Sequence, residues 1–252
     1  MSDFYETDRA VSEYLFFHYG DPTKLLPWDF GPKNGLDYAV RCVTELLVCD
    51  LPEHARALDL GCAVGRSTFE LAKHCKEVIG IDFSQRFIDE GARLQRDGQS
   101  DYSYAVEGKV FANDTARIEP GIERSRVSFE QGDAVSLREG LGRFNVILMA
   151  NLLCRLPDPK QCLEQMSNLI NPGGQLLITT PCTWMEEYTP KEKWLGGFDR
   201  DGEPVRTLDS LKRILEPAFE LETRIDLPFL IREHERKFQW TVAEGTRWRR
   251  AD

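Results

Sequence analysis

The sequence predicts an α/β fold, a mostly parallel sheet with helices on both faces. Three observations carry the prediction. From residue 55 onward, short apolar strands alternate with amphipathic stretches, the order of a parallel sheet with right-handed crossovers. A glycine turn follows the first of these strands directly. Near the C-terminus two segments alternate strictly between apolar and polar residues, which predicts an antiparallel terminal pair with one less-buried face.

The elements follow in order. Residues 1–34 form an aromatic leader with Phe4, Tyr5, Tyr14, Phe16, Phe17, His18, Tyr19, Trp28 and Phe30. Its spacing predicts a helix over 8–18, broken by Gly20, Pro22, Pro27 and Pro32. Leu36, Ala39, Val40, Val43, Leu46 and Leu47 predict a helix within 35–48. Strands are expected at 55–61 and 77–82, with a helix over 66–74 between them and a Ser84-capped helix over 85–96 after them. Residues 127–133 and 144–150 give the third and fourth strands. Asp158, Pro159 and Gln161 read as N-cap, first-turn proline and capping-box partner of a helix ending near Ile170. After a turn at 171–174 come a fifth strand at 175–180, a helix over 207–215, and the alternating segments 219–227 and 237–242.

Two stretches stand outside this pattern. Residues 101–124 suggest a hairpin turning at Glu107-Gly108. Residues 183–204 carry Trp184, Tyr188 and Trp194, with a helix start at Thr189-Pro190-Glu192 ended by Gly196-Gly197. Both are read as insertions over the sheet of a single domain, 1–252, with no internal repeats.

Composition excludes several classes. Asp and Glu outnumber Lys and Arg by 42 to 32, a net charge of -10, which argues against bulk binding to nucleic acid or to an anionic membrane. No apolar run reaches the roughly 18 residues of a transmembrane helix, and the first fifteen residues lack a secretion signal. The seven cysteines are odd in number and lack zinc-knuckle spacing, as free thiols of a reducing compartment would. The four scattered histidines form no metal motif. A cytoplasmic protein without a metal is expected.

The sharpest motif is Asp59-Leu60-Gly61-Cys62-Ala63-Val64-Gly65-Arg66. Gly61 and Gly65 let the backbone turn and approach a ligand without a Cβ in the way. The following helix N-terminus offers unpaired amides to an anion. The second strand ends in Asp82, placed to accept from both hydroxyls of a ribose. A dinucleotide loop would read G-x-G-x-x-G, but Ala63 and Arg66 occupy its second and third glycine positions.

The pattern instead resembles motif I of class I S-adenosylmethionine (SAM)-dependent methyltransferases, with four motifs in order over about residues 35–242. The resemblance implies their Rossmann-like, seven-stranded, mostly parallel sheet with an antiparallel terminal strand. It implies a SAM site in which Asp59 faces the methionyl ammonium, directly or through water. The amides near Ala63 meet the methionyl carboxylate, with Gly61, Cys62 and Gly65 contributing backbone. Asp82 takes the ribose, Asp133 the adenine amino group, and Phe83 and Ala134 flank the ring. Asn151 lies at the mouth of the active site, between cofactor and acceptor. S-adenosylhomocysteine (SAH) is the implied product.

A narrower resemblance covers the leader and the insertions. YETDRAVSEYLFFHYG, PWDFGPKNGLDYAVRC, ANLLCRLPDP and TTPCTWMEEYTPKEKWLGG are similar to the methyltransferase of ovothiol biosynthesis. That enzyme is the C-terminal domain of a 5-histidylcysteine sulfoxide synthase or a stand-alone protein; this chain has no synthase region. It implies methylation of the π (side-chain-proximal) imidazole nitrogen of 5-thiohistidine, giving ovothiol A. A sulfoxide synthase of the same pathway is then a candidate partner. Such chemistry needs an acceptor for the other ring N–H. His18, Tyr19, Glu187 and its neighbour Glu186 are candidates for that role, and Tyr14, Trp184 and Tyr188 for the pocket wall. Arg155 is a candidate for the substrate carboxylate. The sheet motifs fit equally a methyltransferase for a phenol, a carboxylate or another amine, or a non-catalytic SAM-binding subunit. The leader and insertions favour thiohistidine, and the intact loop and acids disfavour the subunit.

Overall fold

The structure is a computed structural model that describes residues 3–251; the side chain of Phe4 lies outside what it describes. Helices are α1 (Asp8–Tyr19), α2 (Pro22–Leu25), α3 (Tyr38–Thr44), α4 (Arg66–Leu71), α5 (Gln85–Asp97), α6 (Pro159–Leu169) and α7 (Thr207–Leu215). Strands are β1 (Arg56–Leu60), β2 (Glu77–Asp82), β3 (Gln99–Glu107), β4 (Val110–Arg117), β5 (Val127–Gln131), β6 (Phe144–Ala150), β7 (Ile170–Thr180), β8 (Phe198–Arg200), β9 (Glu203–Val205), β10 (Phe219–His234) and β11 (Lys237–Arg250).

Seven strands form one sheet in the order β10-β11-β7-β6-β1-β2-β5. Pairings from β5 to β7 are parallel, whereas β11 runs antiparallel to both neighbours. Alternation along the central strands divides the core by face. Ala57, Val78, Val146 and Leu177 pack with α1, α3, α4 and α5. Leu58, Ile79, Ile147 and Leu176 pack with α6 and α7. All seven cysteines are free. Among the described residues no helix is long and apolar enough to cross a membrane. Among them, too, no group of His, Cys, Asp or Glu side chains is arranged to hold a metal ion.

Local signals start most helices where the sequence places them. Thr7 accepts from Ala10 N at the start of α1, and Ser84 accepts from Phe87 N at the start of α5. Asp158 accepts from Gln161 N, but the Gln161 side chain does not close a capping box. It donates to the Val135 carbonyl instead.

Four expectations are corrected. α3 stops at Thr44 because the Gln175 carboxamide takes both the N–H and the carbonyl of Val48, at 2.9 and 2.8 Å, diverting the chain. Thr189 starts no α-helix, because its hydroxyl donates to the Leu156 carbonyl and only a 3-10 turn at Lys191–Lys193 forms. After that turn the insertion continues as a small hairpin, β8–β9. The terminal strands run well past the alternating segments, to His234 and Arg250.

Candidate functional site

One cavity opens at the carboxyl edge of the parallel strands. Its first half is lined by Leu60, Gly61, Cys62, Ala63 and Ser67 from the first turn, by Asp82 and Phe83, and by Gly132 and Ala134 after β5. Gly61 and Gly65 have φ of +77° and +83°, a conformation glycine adopts without strain. A Cβ on Gly61 would meet Leu152 at 2.8 Å, and one on Gly65 would meet the Phe129 ring at 2.5 Å. Gly65 therefore serves packing and does not line the cavity.

The loop amides are largely committed within the protein. Gly61 and Cys62 donate to the Ile81 carbonyl, Gly65 to that of Cys62, and Ala63 to Asp82 Oδ2 at 2.9 Å. The Ala63 amide itself is thereby taken by Asp82, and the carboxylate contact expected of the amides near it falls to its neighbours at the start of α4. Ser67, in the first turn of α4, also lines that wall, but its hydroxyl proton is already given to Asp59 Oδ2.

Asp82 Oδ1 accepts from Ser84 N at 2.9 Å. Each carboxylate oxygen thus spends one lone pair on the backbone and keeps another. Burial pushes the Asp82 carboxyl up to about 6, against the pull of those amides. Asp59 lies one side chain behind the cavity wall. Its Oδ2 accepts from Ser67 and Thr68 hydroxyls, each at 2.7 Å, while the buried Oδ1 has no partner among the described residues. Burial pushes this carboxyl up to about 6 also, with the nearby Asp82 charge adding to it. Phe83 is 44% exposed and lines the cavity, so it is not core packing. Asp133 does not line it; its Oδ1 accepts from Val135 N and shapes the turn that presents Ala134. Burial and the neighbouring carboxylates raise the Cys62 thiol well above its usual range, so it stays protonated.

These residues fit SAM. Asp82 has free lone pairs for a ribose diol. Asp59 has an orphaned oxygen near the wall for a cationic group, reached through Ser67 or water. The Phe83 ring and the small Gly132 and Ala134 leave a slot for a flat base.

The second half is an aromatic chamber formed by Tyr5, Tyr14, Phe17 and His18 of the leader, Tyr38 of α3, and Phe229 and Ile231 of β10. Tyr14 packs edge-on to His18 and Phe229 lies against Tyr38, ring centroids 5.5 and 4.7 Å apart. The leader is fastened across the site. Ser84 Oγ donates to the Tyr5 carbonyl, Gln85 N to Glu6 Oε1, and Arg86 pairs with Asp8. Burial and the Arg66 charge lower the His18 imidazole to about 3, so it is neutral, and its buried Nδ1 has no partner among the described residues. That is too low for a general base working near neutrality. Asn151 and Arg155 line the chamber from the turn after β6. The Arg155 guanidinium lies 4.6 Å from the Tyr188 ring centroid and donates to the carbonyls of Cys154 and Thr183. Among the described residues no carboxylate pairs with it.

Five candidates for the acceptor side fall outside the cavity lining. Tyr19 is turned inward and donates to the Val64 carbonyl at 3.1 Å, a structural contact. Glu187 and Glu186 are exposed. Trp184 is buried against α7, its Nε1 donating to Thr207. Tyr188 is not in the lining; it packs against Arg155 and, tilted, against the Tyr5 ring. Conversely, Tyr38, Phe229 and Ile231 were not singled out. Tyr38 sits on an ordinary apolar helix face, and the β10 residues follow Pro228, where the alternation ends.

Known proteins resemble this chain in sequence and in fold. A family model described as "Methyltransferase domain" matches residues 22–220. Ubiquinone biosynthesis O-methyltransferase of Coxiella burnetii is 28% identical over 49% of this chain, and the match spans 42% of that enzyme's length. Among solved structures, the cyclase SpnF superposes over 99% of this chain and 95% of its own, at TM-score 0.62 and 16% identity. Magnesium protoporphyrin IX methyltransferase of Synechocystis, solved with bound SAH, covers 99% of this chain and 97% of its own, at TM-score 0.58 and 15% identity. These two share the fold, and the cyclase shows that the fold alone does not fix the reaction. The family model spans most of the chain, which therefore belongs to the methyltransferase-domain family.

Proposed function

We propose that the chain methylates the π ring nitrogen of 5-thiohistidine, giving ovothiol A. One observation carries the reading. The aromatic chamber beside the cofactor site contains a neutral imidazole, a carboxamide and a guanidinium without a carboxylate partner, His18, Asn151 and Arg155. A flat heterocycle bearing an amino-acid group needs that set: aromatic walls for the ring, an acceptor for its N–H, and a cation for its carboxylate. The similarity of the leader and insertions to the ovothiol methyltransferases points the same way.

SAM, when bound, supplies an electrophilic methyl group. The chain's own residues have to align the acceptor and exclude water. The leader does the second, since Tyr5, Tyr14 and His18 roof the chamber. The neutral His18 accepts the N–H of the far ring nitrogen, which leaves the lone pair on the nitrogen nearer the side chain. The same property disfavours a phenol. An O-methylated phenol must shed its proton, and an imidazole at about 3 is too weak to take it.

The test is methyl transfer from labelled SAM to 5-thiohistidine, with histidine, histamine and a catechol as comparison acceptors. Label on the ring nitrogen of 5-thiohistidine alone is the expected result. No incorporation by protein that still binds SAH would overturn the reading.

A further inference from the structure

The chamber contains a cluster of polar groups that the cofactor does not explain. Tyr38 Oη lies 2.8 Å from Asn151 Oδ1 and 2.7 Å from Thr179 Oγ1. Thr179 Oγ1 lies 3.2 Å from Asn151 Oδ1 and 3.1 Å from Asn151 N. The three residues come from α3, the turn after β6 and the end of β7. Asn151 has φ of 53°, a left-handed conformation that Asn tolerates better than most residues.

Counting protons fixes the carboxamide's orientation. The Asn151 backbone N–H donates to the carbonyl and hydroxyl oxygens of Thr179. The two hydroxyls then have one proton each to give. With Oδ1 toward them, both protons find an acceptor. With the NH2 toward them, one hydroxyl donates to the other across their 2.7 Å contact, and the second hydroxyl proton has no oxygen in the cluster to reach. Oδ1 therefore faces the hydroxyl pair, and the NH2 is the edge left for the chamber that Asn151 lines.

We propose that Tyr38 is a positioning residue for acceptor specificity. It clamps Asn151 so that the NH2 is a fixed donor to a lone-pair atom of the acceptor other than the methylated one. This rests on the thiohistidine reading for the identity of that atom, the sulfur. An N–H bond to sulfur occupies a lone pair of the stronger nucleophile and gives the ring a second anchor, so nitrogen rather than sulfur faces the methyl group.

Tyr38→Phe tests this in the full chain, because the ring contacts with Phe17 and Phe229 survive while the hydroxyl is lost. The expected result has three parts. SAH affinity stays within about twofold, the 5-thiohistidine KM rises roughly tenfold, and S-methylated product appears beside the N-methylated one. Thr179→Val should do the same more weakly. An unchanged KM with N-methyl product only would overturn the proposal. The Asn151 side-chain NH2 signal, followed by NMR in SAH-bound protein, needs no acceptor. It should shift in Tyr38→Phe; an unmoved signal overturns the clamp even if thiohistidine proves to be the wrong substrate.

Discussion

Asp59→Asn should make the unliganded protein more stable and the enzyme worse. Asp59 is 0% exposed, with one oxygen bonded to two hydroxyls and the other, among the described residues, to nothing. Its carboxyl is pushed from 3.8 up to about 6. A raised carboxyl pKa means the native state holds its proton more tightly than the unfolded chain does. The resulting stabilisation is fully present below 3.8 and is lost as pH rises through about 6. At pH 7.5 the ionised group therefore costs about 3 kcal/mol. Asparagine carries no charge and fits the same space. The ceiling on the gain at pH 7.5 is about 3 kcal/mol, or roughly 6–12 °C in Tm for a chain of this size. The gain should fade toward pH 4, where both proteins are neutral at this position. SAH affinity should move the other way, by tenfold or more, since the ligand ammonium loses a charge-assisted partner worth roughly 1.5–3 kcal/mol. Differential scanning calorimetry across pH 4–8 and isothermal titration with SAH measure the two effects. A Tm gain equal at pH 4 and 7.5 would refute the linkage argument. SAH affinity within twofold of the parent would remove Asp59 from the ammonium site.

The other predictions concern the rest of the site. Asp82→Ala should weaken SAH binding by at least tenfold, since each lost hydrogen bond to a charged group is worth roughly 1.5–3 kcal/mol; calorimetry showing unchanged affinity in a folded variant would remove Asp82 from the ribose. Arg155→Ala should raise the acceptor KM and leave SAH affinity intact, and it should narrow the preference for 5-thiohistidine over thiolated histamine, which has no carboxylate. Equal loss of turnover on both acceptors would make Arg155 structural. Hydrogen exchange over residues 8–19 should slow when SAH and acceptor bind together, because the leader roofs the filled chamber. Equal exchange in both states would rule out closure.

The cofactor half was legible in the sequence because its signals are local. Gly61 is needed at positive φ, and Asp82 ends the next strand of the sheet after α4; each can be read from a few neighbouring residues. The acceptor half depends on tertiary placement. Tyr38 looks like any aromatic residue on an apolar helix face until β7 brings Thr179 beside it. Pro228 interrupts the alternation in β10, yet the strand continues because β10 is the edge of the sheet, where a missing N–H costs no ladder bond when it faces outward. Phe229 and Ile231 are carried into the chamber by that continuation. Trp184 and Thr189 had equally suggestive patterns, but Thr207 and the Leu156 carbonyl claimed their polar atoms.

The division of the cavity has a consequence for how such an enzyme changes. The half of the cavity that fits the methyl donor is lined by the β1–α4 turn, the end of β2 and the turn after β5. The walls of the acceptor chamber come mostly from α1, α3 and the far part of β10, at the two ends of the chain. Mutations at those ends can alter which molecule is methylated while the donor site keeps its geometry. Selection can therefore try new acceptors without first losing the methyl source, and recombination at the flanks of the sheet can exchange one acceptor preference for another in a single event.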